Sequence, residues 1–389
     1  MAYIVGIGEV GVDSAIPEDS LGFAVLAARR AFDDAGMDVE ALDGVLSYGL
    51  YGDLVPSDAL GYALGSETLS ISMDLNLGGQ APAQLISLGA EFVNSRKSRA
   101  LVVFRALRGR TGVRVGSAEF PRLGEDARTA AGVHAYPIVA GLWARAYLDG
   151  TGLSDDDLGE AVLFAERAES DLARITGRGG FGSAAYGARK LPDSIADYRE
   201  SPMISSPLRR YDCVTEVDGA AAILIVDDDF ADQVIGPKVR VDKGVWRSKQ
   251  TDVDMSSVLG YGDLSRNISW ALREALADQG APEPSSMDVV SVYDCFSSVL
   301  MQSLEGLGLC GFGEAPRFLR DLKPLENGPW LNPGGGMLRQ GYLHGMNNAV
   351  AAVRALRFLA SDRGVDAHGI VVSGGMSSGS AVCLTAIGS

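Results

Sequence analysis

The stretch Ala27-Ala-Arg-Arg-Ala-Phe-Asp-Asp-Ala-Gly36, followed by Asp43-Gly-Val-Leu-Ser-Tyr48, returns roughly 245 positions later as Ala271-Leu-Arg-Glu-Ala-Leu-Ala-Asp-Gln-Gly280 and Asp288-Val-Val-Ser-Val-Tyr293. Each copy carries apolar residues at helical spacing, a glycine stop, and then a short apolar run that reads as a strand. Tyr3-Ile-Val-Gly-Ile-Gly8 is a further strand ahead of the first copy. The chain therefore begins β–α–β, the unit that builds parallel sheets, and the recurrence predicts an internal duplication. For 389 residues that means two α/β halves, read as 1–237 and 238–389, with the second beginning near Lys238-Val-Arg-Val241.

Composition narrows the class. The chain is 47% hydrophobic and 22% charged, with no long apolar run and no basic-then-apolar leader, so neither a membrane span nor a signal peptide is expected and the predicted location is cytoplasmic. Cys213, Cys295, Cys310 and Cys383 are far apart, without the paired spacing of a zinc site or a disulfide framework. A net charge of −16 repels nucleic acid and anionic membranes, so an anionic ligand needs a local basic patch. One candidate is Arg105, Arg108, Arg110 and Arg114 among glycines, where the chain reads as irregular from Arg105 onward. It suits bidentate phosphate contacts, or equally a solvated or subunit-facing charge cluster.

The densest chemistry lies in Asn332-Pro-Gly-Gly-Gly-Met-Leu-Arg-Gln-Gly-Tyr342-Leu-His344-Gly-Met-Asn-Asn348. Gly334, Gly335 and Gly336 permit positive φ and close approach of a ligand to the main chain, while Tyr342 and His344 are able to move protons. The bland alternative is a glycine-rich connection with a core tyrosine.

This stretch resembles the Asn-x-x-Gly-Gly…Gly-His-Pro segment of thiolases, above all the sterol-carrier-protein type, with Tyr342 at the catalytic histidine, Leu343 at the proline and His344 two positions beyond. Val292-Tyr-Asp-Cys-Phe-Ser297 is similar to that group's His-Asp-Cys-Phe, so Tyr293 replaces a second histidine. Counting back from the strand Ala100–Phe104 puts Gly79 at the nucleophilic cysteine, with Gly78 or Leu77 if the alignment slips. Ser373-Gly-Gly-Met-Ser-Ser-Gly-Ser-Ala381, which includes Gly375, matches the last glycine motif, but Val371 stands at its cysteine. Without a thiolate or hydroxyl at these places no covalent acyl-enzyme is expected.

The resemblance implies a fold of two similar βαβαβαββ halves in a five-layer αβαβα arrangement, with a loop domain inserted at about 105–205. Two lost cysteines and two histidine-to-tyrosine changes resemble the steroid side-chain-cleaving retro-aldolases of the thiolase superfamily. Their substrate is a steroid 17-hydroxy-20-carboxyl-CoA thioester, cleaved to a 17-ketosteroid and propionyl-CoA. The resemblance then implies Tyr293 and Tyr342 as acid and base, in either assignment, with His344 tuning one of them. It also implies coenzyme A contacts near Arg105, Arg108, Gly335, Gly336 and Gly375, with no metal and no cofactor beyond the coenzyme A of the substrate. The expected assembly is a homodimer bound to a separate acyl-CoA-associated chain with an OB-fold and zinc ribbon. Competing readings are a Claisen thiolase using Cys295, and a non-catalytic acyl-CoA or lipid carrier.

Overall fold

The structure is a computed structural model that describes residues 1–11, 19–50, 52–112, 114, 130, 132–176, 189–248, 268–374 and 378–388. Ten strands form one sheet: β1 (Tyr3–Val10), β2 (Gly44–Gly49), β3 (Ile71–Asn76), β4 (Ala100–Arg108), β7 (Asp218–Val226), β8 (Val239–Ser248), β9 (Val289–Val292), β10 (Trp330–Leu331), β11 (Ala367–Gly374) and β12 (Ser378–Ala386). The short β5 (Met203–Ser205) and β6 (Leu208–Arg209) form a separate ribbon. Across the large sheet the order is β10-β9-β11-β12-β8-β1-β7-β4-β2-β3.

Read outward from its centre, that order is palindromic. β1, β7, β4, β2 and β3 on one side answer β8, β12, β11, β9 and β10 on the other, in the same succession along the chain. Pair directions correspond as well: β2 is parallel to β3 and β4, as β9 is to β10 and β11, while β7 and β12 run antiparallel to both their neighbours. The halves join through β1 and β8 at Tyr3–Arg240 and Ile4–Val239. The sequence repeat is thus a structural one.

Helices complete the layers. Ser20–Ala35 packs on β1, β4 and β7, and its counterpart Ile268–Asp278 packs on β8 and β12. Between the halves lie Ala81–Asn94 and Met346–Arg363, each touching strands of both, which gives the expected αβαβα stack. The glycines of Tyr3-Ile-Val-Gly-Ile-Gly8 fall inside β1 instead of ending it. A Cβ at Gly6 or Gly8 would lie 1.9 or 2.0 Å from the carbonyl oxygens of Ala31 and Ala27, so only glycine lets the alanine-rich helix face sit directly on the strand. None of the helices described is long and apolar enough to cross a membrane.

One boundary differs from expectation. β4 runs on to Arg108, because Arg105, Ala106, Leu107 and Arg108 continue the ladder with Ala221, Ala220, Gly219 and Asp218. Two arginines in the run hid the strand pattern. The chain then leaves the sheet for helices Tyr136–Thr151, Leu158–Thr176 and Ile195–Glu200 before returning at β7.

Candidate active site

After β10 the chain turns back on itself through Asn332 (φ 38°) and three glycines, Gly334, Gly335 and Gly336, at φ 79°, 87° and 62°. The Asn332 side chain continues the sheet: its Oδ1 accepts from Val292 N at 2.7 Å and its Nδ2 donates to Val292 O at 3.0 Å. A Cβ on Gly335 would stand 2.1 Å from Ala165 O, and one on Gly336 would stand 2.3 Å from Asp294 Oδ2. On the side where a Cβ would stand, the close approaches these two glycines permit are therefore to the protein's own interior. Gly375 lies outside the described residues.

Asp294 ties the two tyrosine-bearing segments together. Its carboxylate accepts from Met337 N (3.0 Å) and Leu338 N (3.2 Å) at the start of helix Gly336–Gln340, and from Asn348 Nδ2 (2.8 Å). It caps a helix that is not the one following it in sequence. Burial pushes its carboxyl up to about 6 against these hydrogen bonds.

That brace brings Tyr293 and Tyr342 together, with their hydroxyl oxygens 3.0 Å apart. Tyr342 is held from behind by its N–H donating to Thr215 O at 2.9 Å. The ring of Tyr293 lies against Gly345, where a Cβ would come 3.0 Å from its Cδ2, and against Gly79. A Cβ on Gly79 would fall 1.9 Å from Tyr293 Cζ and 2.0 Å from Oη. The phenol thus occupies the space into which a side chain at residue 79 would project, just ahead of helix Ala81–Asn94. No nucleophile fits there while Tyr293 stands.

Burial raises the pKa of both tyrosines well above the ordinary phenol value; the next cause is the repulsion that an ionised Tyr342 would exert on Tyr293, and an ionised Cys295 on Tyr342. Both are neutral at physiological pH. Cys295 is buried beside them, and burial likewise drives its thiol up, away from the thiolate a nucleophile needs. Cys213 is pushed up to about 12 by the same cause.

His344 packs edge to face on Tyr342, with ring centroids 4.6 Å apart at 82°. Its Nδ1 accepts a hydrogen bond from Arg105 Nε at 3.1 Å, and its own φ is +51°, a strained setting for a non-glycine residue. The remaining Arg105 bonds run to Asp53 Oδ2 (2.5 Å), Asp53 O (3.0 Å) and Ala106 O (2.8 Å). Arg105 is fully buried and spent inside the protein, so it is no part of a phosphate-binding surface; a charged residue in an apolar strand was the only sign of this. Arg108 is half-buried, with its Nε donating to Thr111 Oγ1 at 2.9 Å. Asp53 and Tyr48 were not foreseen; the Tyr48 hydroxyl donates to His344 O at 3.1 Å. His134 and His368 are engaged elsewhere, with Gly132 O and Thr385 Oγ1.

Residues 263–387 match the thiolase C-terminal domain-like family. With the duplicated five-layer architecture this decides the fold. The fold is thiolase-like. The chain is 29% identical over 378 residues to 17-hydroxy-3-oxo-4-pregnene-20-carboxyl-CoA lyase of Mycobacterium tuberculosis, covering 92% of this chain and 91% of that one. It is 26% identical over 389 residues to the steroid side-chain-cleaving aldolase of Thermomonospora curvata, covering 96% and 95%. Among solved structures, the Ltp2-ChsH2(DUF35) aldolase superposes with a TM-score of 0.80 at 24% identity over 99% of this chain and 97% of that one. Within this thiolase-like frame, the candidate site is where the two halves meet: Tyr293 from just after β9, Gly79 from the N-terminal half, and Tyr342 and His344 from the glycine-rich stretch.

Proposed function

We propose that this chain is a carbon–carbon lyase that cleaves the β-hydroxyacyl-CoA thioester of a steroid by a retro-aldol reaction, releasing a ketosteroid and propionyl-CoA. The observation that carries the reading is the 3.0 Å contact between Tyr293 and Tyr342 in the place a nucleophile would need. The names of the two relatives alike over nearly the full length point the same way.

A retro-aldol cleavage moves one proton from the β-hydroxyl to the α-carbon. The bond between those two carbons breaks, its electron pair passes to the thioester enolate, and the hydroxyl carbon becomes a ketone. Two neutral tyrosines in contact suit this balance better than a single base. One accepts the hydroxyl proton as it passes its own across the 3.0 Å contact, and the other delivers a proton to the α-carbon. Neither must become a free phenolate, which their burial opposes. Either tyrosine serves at either end. No further cofactor enters this balance, coenzyme A being part of the substrate.

We further infer a homodimer in complex with a separate DUF35-type, OB-fold and zinc-ribbon acyl-CoA-associated chain, since the structural neighbour's own name joins an aldolase to ChsH2(DUF35). Among the described residues β3 has a strand neighbour on one side only, leaving an edge for a second copy. The functional test is incubation of the protein, with and without that partner, with a steroid β-hydroxyacyl-CoA. Ketosteroid and propionyl-CoA release supports the reading. Cleavage that requires free coenzyme A, or binding without turnover, replaces it with a Claisen thiolase or a carrier.

A further inference from the structure

The Asp53–Arg105–His344 chain is buried machinery that the proton relay does not use. The guanidinium is fully buried, and its Nε, which always carries a proton, points at His344 Nδ1 across 3.1 Å. Nδ1 must therefore present its lone pair, and the single proton of the neutral ring sits on Nε2. Protonating Nδ1 would set two N–H groups against each other in a buried contact, beside a cation. Asp53 keeps the arrangement in place. Its Oδ2 accepts from Arg105 Nη2 at 2.5 Å, and its Oδ1 accepts from Leu50 N at 2.7 Å. Nε2 is buried and has no hydrogen-bond partner among the described residues. A buried donor left without an acceptor is costly, and a strained φ of +51° is retained only where the surroundings over-determine it.

We propose that Arg105, held by Asp53, is a positioning residue that locks His344 in its neutral Nε2–H tautomer, making His344 a permanent hydrogen-bond donor to an oxygen of the bound thioester substrate instead of a proton-transferring group. The first part stands on the resting structure alone; the identity of the acceptor rests on the lyase reading above. The groups facing the ring agree with a neutral imidazole: Arg105 from β4 on Nδ1, the un-ionised Tyr48 from β2 on its main chain, and the un-ionised Tyr342 on its face. Burial, then the Arg105 charge, hold the imidazole well below its usual range. His344 would then resemble an oxyanion-hole donor, whose loss costs about 10²–10³ in kcat.

The test begins on the unaltered protein. With ¹⁵N-histidine labelling and only three histidines in the chain, a long-range ¹H–¹⁵N correlation spectrum, assigned with His344→Gln, reads the tautomer directly. The expected result is an Nε2–H neutral ring that does not titrate from about pH 5.5 to 8.5, across the range of an ordinary histidine. An Nδ1–H tautomer or an imidazolium at neutral pH overturns the positioning role, whatever the protein catalyses. In Arg105→Met the ring should populate both tautomers and its titration should move upward, though burial still holds it below the ordinary range. For the donor role, His344→Ala should lose about 10²-fold in kcat, while His344→Gln, which keeps an N–H, should recover part of that loss. Equal rates for His344→Ala and the unaltered protein overturn the donor role and leave the tyrosine relay standing. Failure of every variant and the unaltered protein to cleave the substrate removes the lyase reading and the assigned acceptor, while the spectrum still decides the tautomer.

Discussion

Gly79→Ala is the most exposed consequence of the site's packing. Gly79 is not among the positive-φ glycines, so the backbone tolerates alanine there. At such a position the change ordinarily stabilises by about 0.4–1 kcal/mol through the unfolded chain. The new methyl would instead stand 1.9, 2.0 and 2.2 Å from Tyr293 Cζ, Oη and Cε2. Ordinary carbon contacts are about 3.5–4.0 Å, so the ring must move by roughly 1.5 Å. Such a shift takes the hydroxyl out of the 3.0 Å contact with Tyr342. Gly79→Ala should therefore destabilise by about 1–3 kcal/mol, as overpacking does. It should also lower turnover by about 10²-fold or more, the penalty of a reacting group displaced by an ångström. Urea denaturation and ketosteroid release, each measured for Gly79→Ala, Tyr293→Ala and the double variant, test this. The double variant should be more stable than the sum of the single effects allows, because the clash is gone. A Gly79→Ala protein as stable and as active as the unaltered chain would refute the claim that Tyr293 fills the space at residue 79.

Tyr293→Phe and Tyr342→Phe should each lower turnover by roughly 10²–10⁴-fold with little change in stability, and the double variant should cost far less than the product of the two. Near-normal turnover in either single variant removes that tyrosine from the relay. Replacing Cys213 and Cys295 with alanine should leave cleavage largely intact, since both thiols are held protonated, whereas a covalent acyl-enzyme seen by mass spectrometry would overturn the non-covalent route. Light scattering at micromolar concentration should show a homodimer; a monomer both alone and with the DUF35-type partner would count against the open edge of β3 as a subunit contact. Glu305 is lifted to about 7 by burial, above the ordinary carboxyl range, so the folded state holds its proton more tightly than the unfolded chain does. Its contribution to stability is complete below the unfolded value and is lost as pH rises through about 7. Glu305→Gln, an isostere of the protonated acid, should flatten that part of the pH–stability curve, and an unchanged slope would exclude Glu305 as its source.

Much of the fold was legible in the sequence because it is written locally. Helical spacing, glycine stops and short apolar runs recur within each half, so the α/β duplication could be read from Ala27–Tyr48 and Ala271–Tyr293 without any long-range knowledge. Tyrosines in place of histidines, and a glycine where a nucleophile was expected, were equally visible, since residue identity needs no coordinates. What the sequence concealed depends on partners far apart along the chain. Arg105 looked like one member of a basic surface patch until the closing of the two halves set it against His344, 239 positions away in the chain, inside the protein. Nothing near Gly335 and Gly336 in the sequence told that Ala165 and Asp294 stand where their Cβ atoms would be. The same closing places the Tyr293 ring over Gly79. A hydrophobic pattern says which face of an element is buried, but only the meeting of the faces decides which buried polar groups answer one another, because that pairing depends on ångström distances between segments whose sequences do not refer to each other.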